Sequence, residues 1–151
     1  MSKLQQFVES FPWVRNETTP FTRLKKELAQ CTVALISTGG VYVKGDVPFA
    51  ITNRDDVDES FRAIPREVAL DQVAIAHEHF DKRHCSDDLN VIFPVERLEQ
   101  LVQEGLIGKV AKTNYSITGY IPRPNHLAES GRQLAASLKA EGVDAVILVP
   151  V

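Results

Sequence analysis

Seven consecutive residues, Cys31-Thr32-Val33-Ala34-Leu35-Ile36-Ser37, carry no charge and lead directly to a pair of glycines, Gly39 and Gly40. A strand with one wet face alternates apolar and polar residues, so an unbroken apolar run of strand length has to be covered on both faces. Helices packed over a parallel sheet provide that cover. Asp71 to Ala76 and Asp144 to Val149 read the same way, and Ser60 to Arg66 and the stretch KVAKTNYSITGYIP add β-like segments. Between the runs, Pro94 to Gly108 places Val95, Leu98, Leu101 and Val102 at helical spacing with Gly105 behind them, and Leu127 to Ala140 repeats the pattern with Gly142 as its stop. Strands alternating with glycine-terminated helices predict an α/β fold, a mostly parallel sheet with helices on both faces in a Rossmann-like or flavodoxin-like three-layer arrangement, incomplete at its C-terminus. The strands from Cys31, Asp71 and Asp144 are expected in one sheet. Ligands of such sheets bind beyond the carboxyl ends of the strands, so Thr38, Gly39, His77 and Val151 are expected together at one edge.

With 151 residues there is material for one core. Residues 1–21 read as an arm holding Phe7, Phe11 and Trp13 and broken by Pro12 and Pro20, and residues 22–151 as the α/β domain, opening on a short amphipathic segment, Thr22 to Gln30. A net charge of -3 leaves no basic face for phosphates, which argues against nucleic acid. No window approaches the roughly 18 apolar residues of a membrane span. The two cysteines, Cys31 and Cys85, form no C-x-x-C pair, so a reduced, cytoplasmic setting is the default expectation.

The stretch HEHFDKRHCSDD, His77 to Asp88, concentrates three of the four histidines with Cys85 and several acids. His77, His79 and Asp81 have the H-x-H-x-D spacing of hydrolase metal sites, whose histidines ligate a metal-bound hydroxide. Lys82 stands where that pattern needs another histidine, and His84 comes two places late. A zinc site from His77, His79 and Cys85 and a solvated loop capped by Ser86 and Asp87 both stay open at this point. Ser37-Thr38-Gly39-Gly40 follows a strand and suits either a tight turn or a backbone-lined anion site, but it lacks the Lys-Ser/Thr of a P-loop. Cys31 opens an apolar strand and reads as core.

Taken in order, ALISTGGVYVKGDVPF, SFRAIPRE, AHEHFD, DDLNVIFPVERLEQLVQEGLIG, YSITGYI and GVDAVILVPV resemble the selenoprotein B family of the glycine, sarcosine, betaine and D-proline reductases, most closely the short D-proline reductase-type subunit. The resemblance runs from about Thr22 to Val151, and Asp88 to Gly108 is its most specific block. It implies a selenocysteine-dependent reductive cleavage of a C–N bond in an amino acid or amine-like substrate. In some members a partner subunit carries a pyruvoyl group that captures the amine. His77, Asp81, Asp88 and Asn90 match the family pattern, whereas His79, His84 and Cys85 are not carried over from it. The implied catalytic residues are His77, as proton donor to a leaving amine, and Asp81. Thr38, Gly39, Gly40, Asp88 and Asn90 are the expected substrate or anion contacts, with no metal and no cofactor in this stretch. The family's selenocysteine falls just after Val151, so the chain is expected to be an inactive N-terminal part ending at a UGA codon read as a stop. The expected partners are a small amine-like substrate, the pyruvoyl-containing subunit and a second copy of the chain meeting it at an uncovered strand edge. The competing expectation is a freestanding small-molecule- or metal-binding module that uses the His77–Asp88 loop.

Overall fold

The computed structural model describes residues 2–11, 17–53, 56–77, 83–121 and 123–151. Its strands in chain order are β1 (Thr32–Ser37), β2 (Val41–Val43), β3 (Ile51–Asn53), β4 (Asp56–Val57), β5 (Arg62–Pro65), β6 (Val73–Ile75), β7 (Lys109–Val110), β8 (Thr113–Ser116) and β9 (Ala145–Val149). The helices are α1 (Lys3–Ser10), α2 (Arg83–Asp87), α3 (Val95–Gln103) and α4 (Leu127–Glu141).

The apolar run beginning at Cys31 forms the centre of the sheet. β9 lies parallel along one side of β1, from Val33 opposite Ala145 to Ser37 opposite Val149. Along the other side β7 pairs with the beginning of β1 and β8 with its end, both parallel, and β8 is antiparallel to β5. Thr32 faces Lys109 but Ile36 faces Tyr115, so the β7–β8 side holds two extra residues and bulges. The bulge draws the backbone ladder away from Leu35. Asn114 fills the gap with its side chain, whose Oδ1 accepts from Leu35 N at 2.8 Å.

Alternation along β1 serves two helices. Val33 and Leu35 join the core that contains Val95 and Leu98 of α3 with Phe93 and Val110. Ala34 faces the other way, into the cluster of Tyr115, Leu134 and Leu138 under α4. The α/β arrangement with a mostly parallel sheet and helices on both faces therefore follows from one strand with no polar face. Both helices stop where the glycines predicted: Gly105 and Gly142 take left-handed φ values of 73° and 75°, and Gly142 N–H donates to the Lys139 carbonyl at 3.1 Å.

One expectation is corrected. The Asp71 to Ala76 run does not join the parallel sheet. Its strand, β6, pairs antiparallel with β2 in a separate two-stranded ribbon, with Val41 opposite Ile75. A parallel return requires a crossover, usually helical, and the described residues between β1 and β6 contain no α-helix. Instead the chain turns at Gly40, whose φ is 64°, and supplies its own antiparallel partner. Of the segment Thr22 to Gln30, only Leu28–Gln30 coils, as one 3₁₀ turn. In the arm, α1 is capped reciprocally by Ser2 and Gln5 and buries no residue, while Trp13 lies outside the described residues. Among the described residues no helix is long and apolar enough to cross a membrane.

Asp144, just before β9, ties that strand to β1. Its carboxylate accepts from Thr32 N at 2.9 Å and pairs with Lys26 Nζ at 2.8 Å. The Lys26 hydrogen bond, then the Thr32 amide, holds the Asp144 carboxyl below the usual carboxylate range. A carboxylate depressed in the folded state adds stability above its unfolded pKa, about 3.9, and that stability disappears as pH falls through the folded value. Asp144→Asn is therefore expected to lower the melting temperature at neutral pH and to converge with the parent as pH falls through the folded value, as melting curves across pH would show.

Candidate functional site

At the carboxyl end of β1, three segments meet. Thr38 N donates to the Val149 carbonyl at 2.9 Å, and Val151 N donates back to Thr38 Oγ1 at 2.8 Å, so the residues after β1 and β9 stay paired beyond both strands. Gly39 N is taken by Ser37 Oγ at 2.9 Å, and Gly40 N by the Ile117 carbonyl at 2.9 Å. All three amides of Thr38-Gly39-Gly40 are thus engaged inside the protein. Contact of this turn with a ligand has to run through the Thr38 hydroxyl, through carbonyls and through the closeness that glycine permits.

His77 arrives from the neighbouring ribbon. Ala76 N donates to the Gly40 carbonyl at 2.9 Å, which fixes the histidine beside the turn. A Cβ at Gly40 would stand 3.0 Å from His77 N, so the close approach and the left-handed φ both call for glycine there. The imidazole is buried, with the residue 4% exposed. At Gly119 an added Cβ would lie 2.5 Å from His77 Nε2 and 2.9 Å from the carbonyl oxygens of both Thr38 and Val151. Thr38, His77 and Val151, expected at one edge of the sheet, do meet there, although His77 reaches it from a different strand pair.

Asp88 and Asn90 stand nearby on the turn before α3. Asp88 Oδ1 accepts from both the backbone and the side-chain nitrogen of Asn90, each at 2.9 Å, and Asn90 Nδ2 also donates to Glu96 Oε2 at 2.8 Å. Asn90's side-chain and backbone hydrogen bonds, followed by Arg97, keep the Asp88 carboxyl below its ordinary range. Ser37 Oγ donates to the Ile92 carbonyl at 2.7 Å and so fastens this turn to the end of β1. The side chains themselves face elsewhere. With Asp71, Asp87, Glu96 and Lys44 they line an open cavity of about 550 Å³, bordered by β6 and the α2 turn, which neither Thr38 nor His77 lines. The candidate residues therefore divide between the strand-end cluster and an acidic cavity.

His79 and Asp81 lie outside the described residues. Where a loop was expected, Arg83–Asp87 form a short helix that turns Cys85 into the core and leaves His84 exposed. Cys31 is fully buried. Among the described residues no group of three His, Cys, Asp or Glu side chains could hold a metal ion. Sequence reasoning gave no role to Gly119, and it placed Ser37 only within the turn Ser37 to Gly40. Gly119 sits inside one of the resemblance segments, YSITGYI, and its small size was the only available signal.

Three relatives illustrate what the chain is similar to. It is 34% identical over 129 residues to D-proline reductase subunit gamma of Acetoanaerobium sticklandii, an alignment covering 85% of this chain and 52% of that protein. Glycine reductase complex component B subunit gamma of Carboxydothermus hydrogenoformans is 30% identical over 154 residues, covering 97% of this chain and 34% of its own length. Betaine reductase complex component B subunit beta of Peptoclostridium acidaminophilum is 27% identical over 146 residues, 95% of this chain and 33% of its own. The chain thus spans between a third and about half of the relatives it matches. No solved structure matches it. The family model described as glycine/sarcosine/betaine reductase selenoprotein B matches residues 2–151. With the family's segments folded around the ends of β1 and β9, the chain belongs to the glycine/sarcosine/betaine reductase selenoprotein B family.

Proposed function

We propose that this chain is part of a reductase-complex subunit that takes part in reductive cleavage of a C–N bond in a small amino acid or amine-like substrate. The observation that carries the reading is the meeting of Thr38, His77 and Val151 around Gly119, at the carboxyl ends of two parallel strands. A selenol is ionised at neutral pH where a thiol with pKa about 8.5 is mostly protonated, so a selenocysteine beside this edge would supply the nucleophile. When the C–N bond breaks, its electron pair leaves with nitrogen, which then needs a proton. His77 is the residue proposed to give that proton, with Asp81 as its catalytic companion. Thr38, Gly39 and Gly40 shape the place of the reacting carbon. Asp88 and Asn90, on the separate acidic cavity, are proposed to contact a cationic group other than the reacting nitrogen. A pyruvoyl-containing subunit and a second copy of the chain are the proposed protein partners.

Ligand-observed NMR on the purified chain with D-proline, glycine, sarcosine and betaine tests the substrate reading. At least one is expected to bind, and His77→Ala should weaken it by about tenfold, the worth of one charge-assisted hydrogen bond. Binding of none of the four would defeat it. On this reading the selenocysteine would be encoded beyond Val151. The acidic cavity favours a second reading, a freestanding small-molecule- or metal-binding module on the His77–Asp88 loop. Elemental analysis separates the two: about one metal per chain, lost in both His77→Ala and His79→Ala, establishes the module.

A further inference from the structure

Gly119 is exposed, yet it has no room for a side chain on its inner face. Its φ is not among the positive values of the described residues, which occur at Gly40, Gly45, Gly105 and Gly142, so a left-handed φ does not account for glycine here. Space does. Three atoms from three separate segments close on the point a Cβ would occupy: His77 Nε2 at 2.5 Å, Thr38 O at 2.9 Å and Val151 O at 2.9 Å. Thr38 O belongs to backbone held by Thr38 N to Val149 O, so it yields little, while Val151 is held at its N–H by Thr38 Oγ1. The preceding residue is fixed as well, since Thr118 Oγ1 donates to the Asp58 carbonyl at 3.1 Å and Thr118 bridges Gly39. The imidazole stands nearest of the three and is the one side chain among them, able to turn about its own bonds.

We propose that Gly119 is a positioning residue for His77: the missing side chain is what allows the ring to lie against the ends of β1 and β9. It rests on the reading that His77 acts at this edge, and it adds a residue to which no role is assigned. A methyl group at Gly119 would have to stand off at about 3.5 Å, which moves Nε2 by about 1 Å. Proton transfer tolerates that poorly, because a donor must stay within about 3.2 Å of its acceptor.

The test uses the chain labelled with ¹⁵N-histidine, its four imidazoles assigned by single substitutions. Gly119→Ala is expected to shift the His77 ring resonances, to leave those of His126 in place and to lower the melting temperature by about 4–10 °C. Gly108→Ala is the control. Its Cβ would stand 2.8 Å from the Cys31 carbonyl oxygen at the opposite end of β1, so it should cost stability while His77 stays where it is. Unmoved His77 resonances in Gly119→Ala overturn the proposal. If Gly119→Ala does not fold, the double variant with His77→Ala decides. Recovery of folding on removing the ring shows that the ring was the collision partner, and no recovery assigns the need for glycine to the Thr38 and Val151 oxygens instead and overturns the proposal. The ring signals report placement, not reaction. A normal shift with substrate binding unaffected by His77→Ala would sink the functional reading and leave the positioning intact.

Discussion

Arg62→Ala is expected to lose about 3–5 kcal/mol of stability, the usual result of deleting one partner of a largely buried ion pair. The Arg62 and Asp58 side chains are 17% and 15% exposed and meet at 2.7 Å. The guanidinium also donates to the Val47 carbonyl at 2.8 Å and the Pro48 carbonyl at 3.0 Å, and it lies 4.2 Å from the centre of the Phe49 ring. Alanine would leave the Asp58 carboxylate without its cation, whereas the Val47 and Pro48 carbonyls, on exposed residues, would turn to water. Arg62→Lys keeps the charge but not the planar fork, and it should fall between parent and alanine. Burial pushes the Asp58 carboxyl up, but hydrogen bonds from Ser60, Arg62 and the Ala50 amide outweigh it and leave the group below its ordinary value. The pair's contribution is therefore present above about pH 4 and fades as pH falls through the folded value. Urea titrations should show the Arg62→Ala deficit shrinking in acid, and a deficit under about 1 kcal/mol at pH 7 would mean that water already screens the pair.

Asn114→Ala should cost about 3 kcal/mol, because it leaves the buried Leu35 N–H without an acceptor and opens a cavity in the core. Asn114 has no exposed surface, and its Oδ1 takes the place of a backbone carbonyl where β7 and β8 bulge. Asn114→Asp keeps that acceptor and the shape. In so dry a place the acid resists ionisation, so its folded pKa rises above the unfolded 3.9. A group raised in the folded state binds more protons there than in the unfolded chain. Stability is then full below about pH 4 and declines by about 1.4 kcal/mol per pH unit until the folded pKa is passed. Chemical denaturation of the two variants from pH 4 to 8 gives a flat deficit for alanine and a growing one for aspartate. A flat aspartate profile would show that water reaches Asn114.

The strands that were legible in the sequence are those whose composition answers to burial. The Cys31 run is apolar on both faces because helices cover both, and that pattern survives without coordinates; the Asp144 run has the same composition, although Val146, Ile147 and Leu148 of β9 stand exposed. α3 and α4 were legible through 3.6-residue spacing and their glycine stops. The Asp71 run misled because β6 is only three residues long, and three buried residues look alike in a parallel sheet and in a ribbon. The absent helix between β1 and β6 was the available warning. At the site, Thr38 and His77 could be placed by the rule for strand ends, but Gly119 could not. Its need for glycine comes from atoms 32 to 81 residues away in the chain, outside the reach of any local pattern. Arg62 was hidden for a similar reason, since an arginine within a short strand reads as solvent-facing until the carbonyls it gathers are seen.

The pairing of β1 with β9 also sets a timetable for biosynthesis. Thr32 and its partner Asp144 lie 112 residues apart. At about 5–20 residues per second, a ribosome needs roughly 6–22 s to deliver β9 after β1 has been made. During that interval the most apolar strand of the protein has one edge open. Neighbouring nascent chains on a polysome then compete with β9 for the same hydrogen bonds, which makes Val33 to Ser37 the stretch where a trigger-type holdase would have most effect on yield.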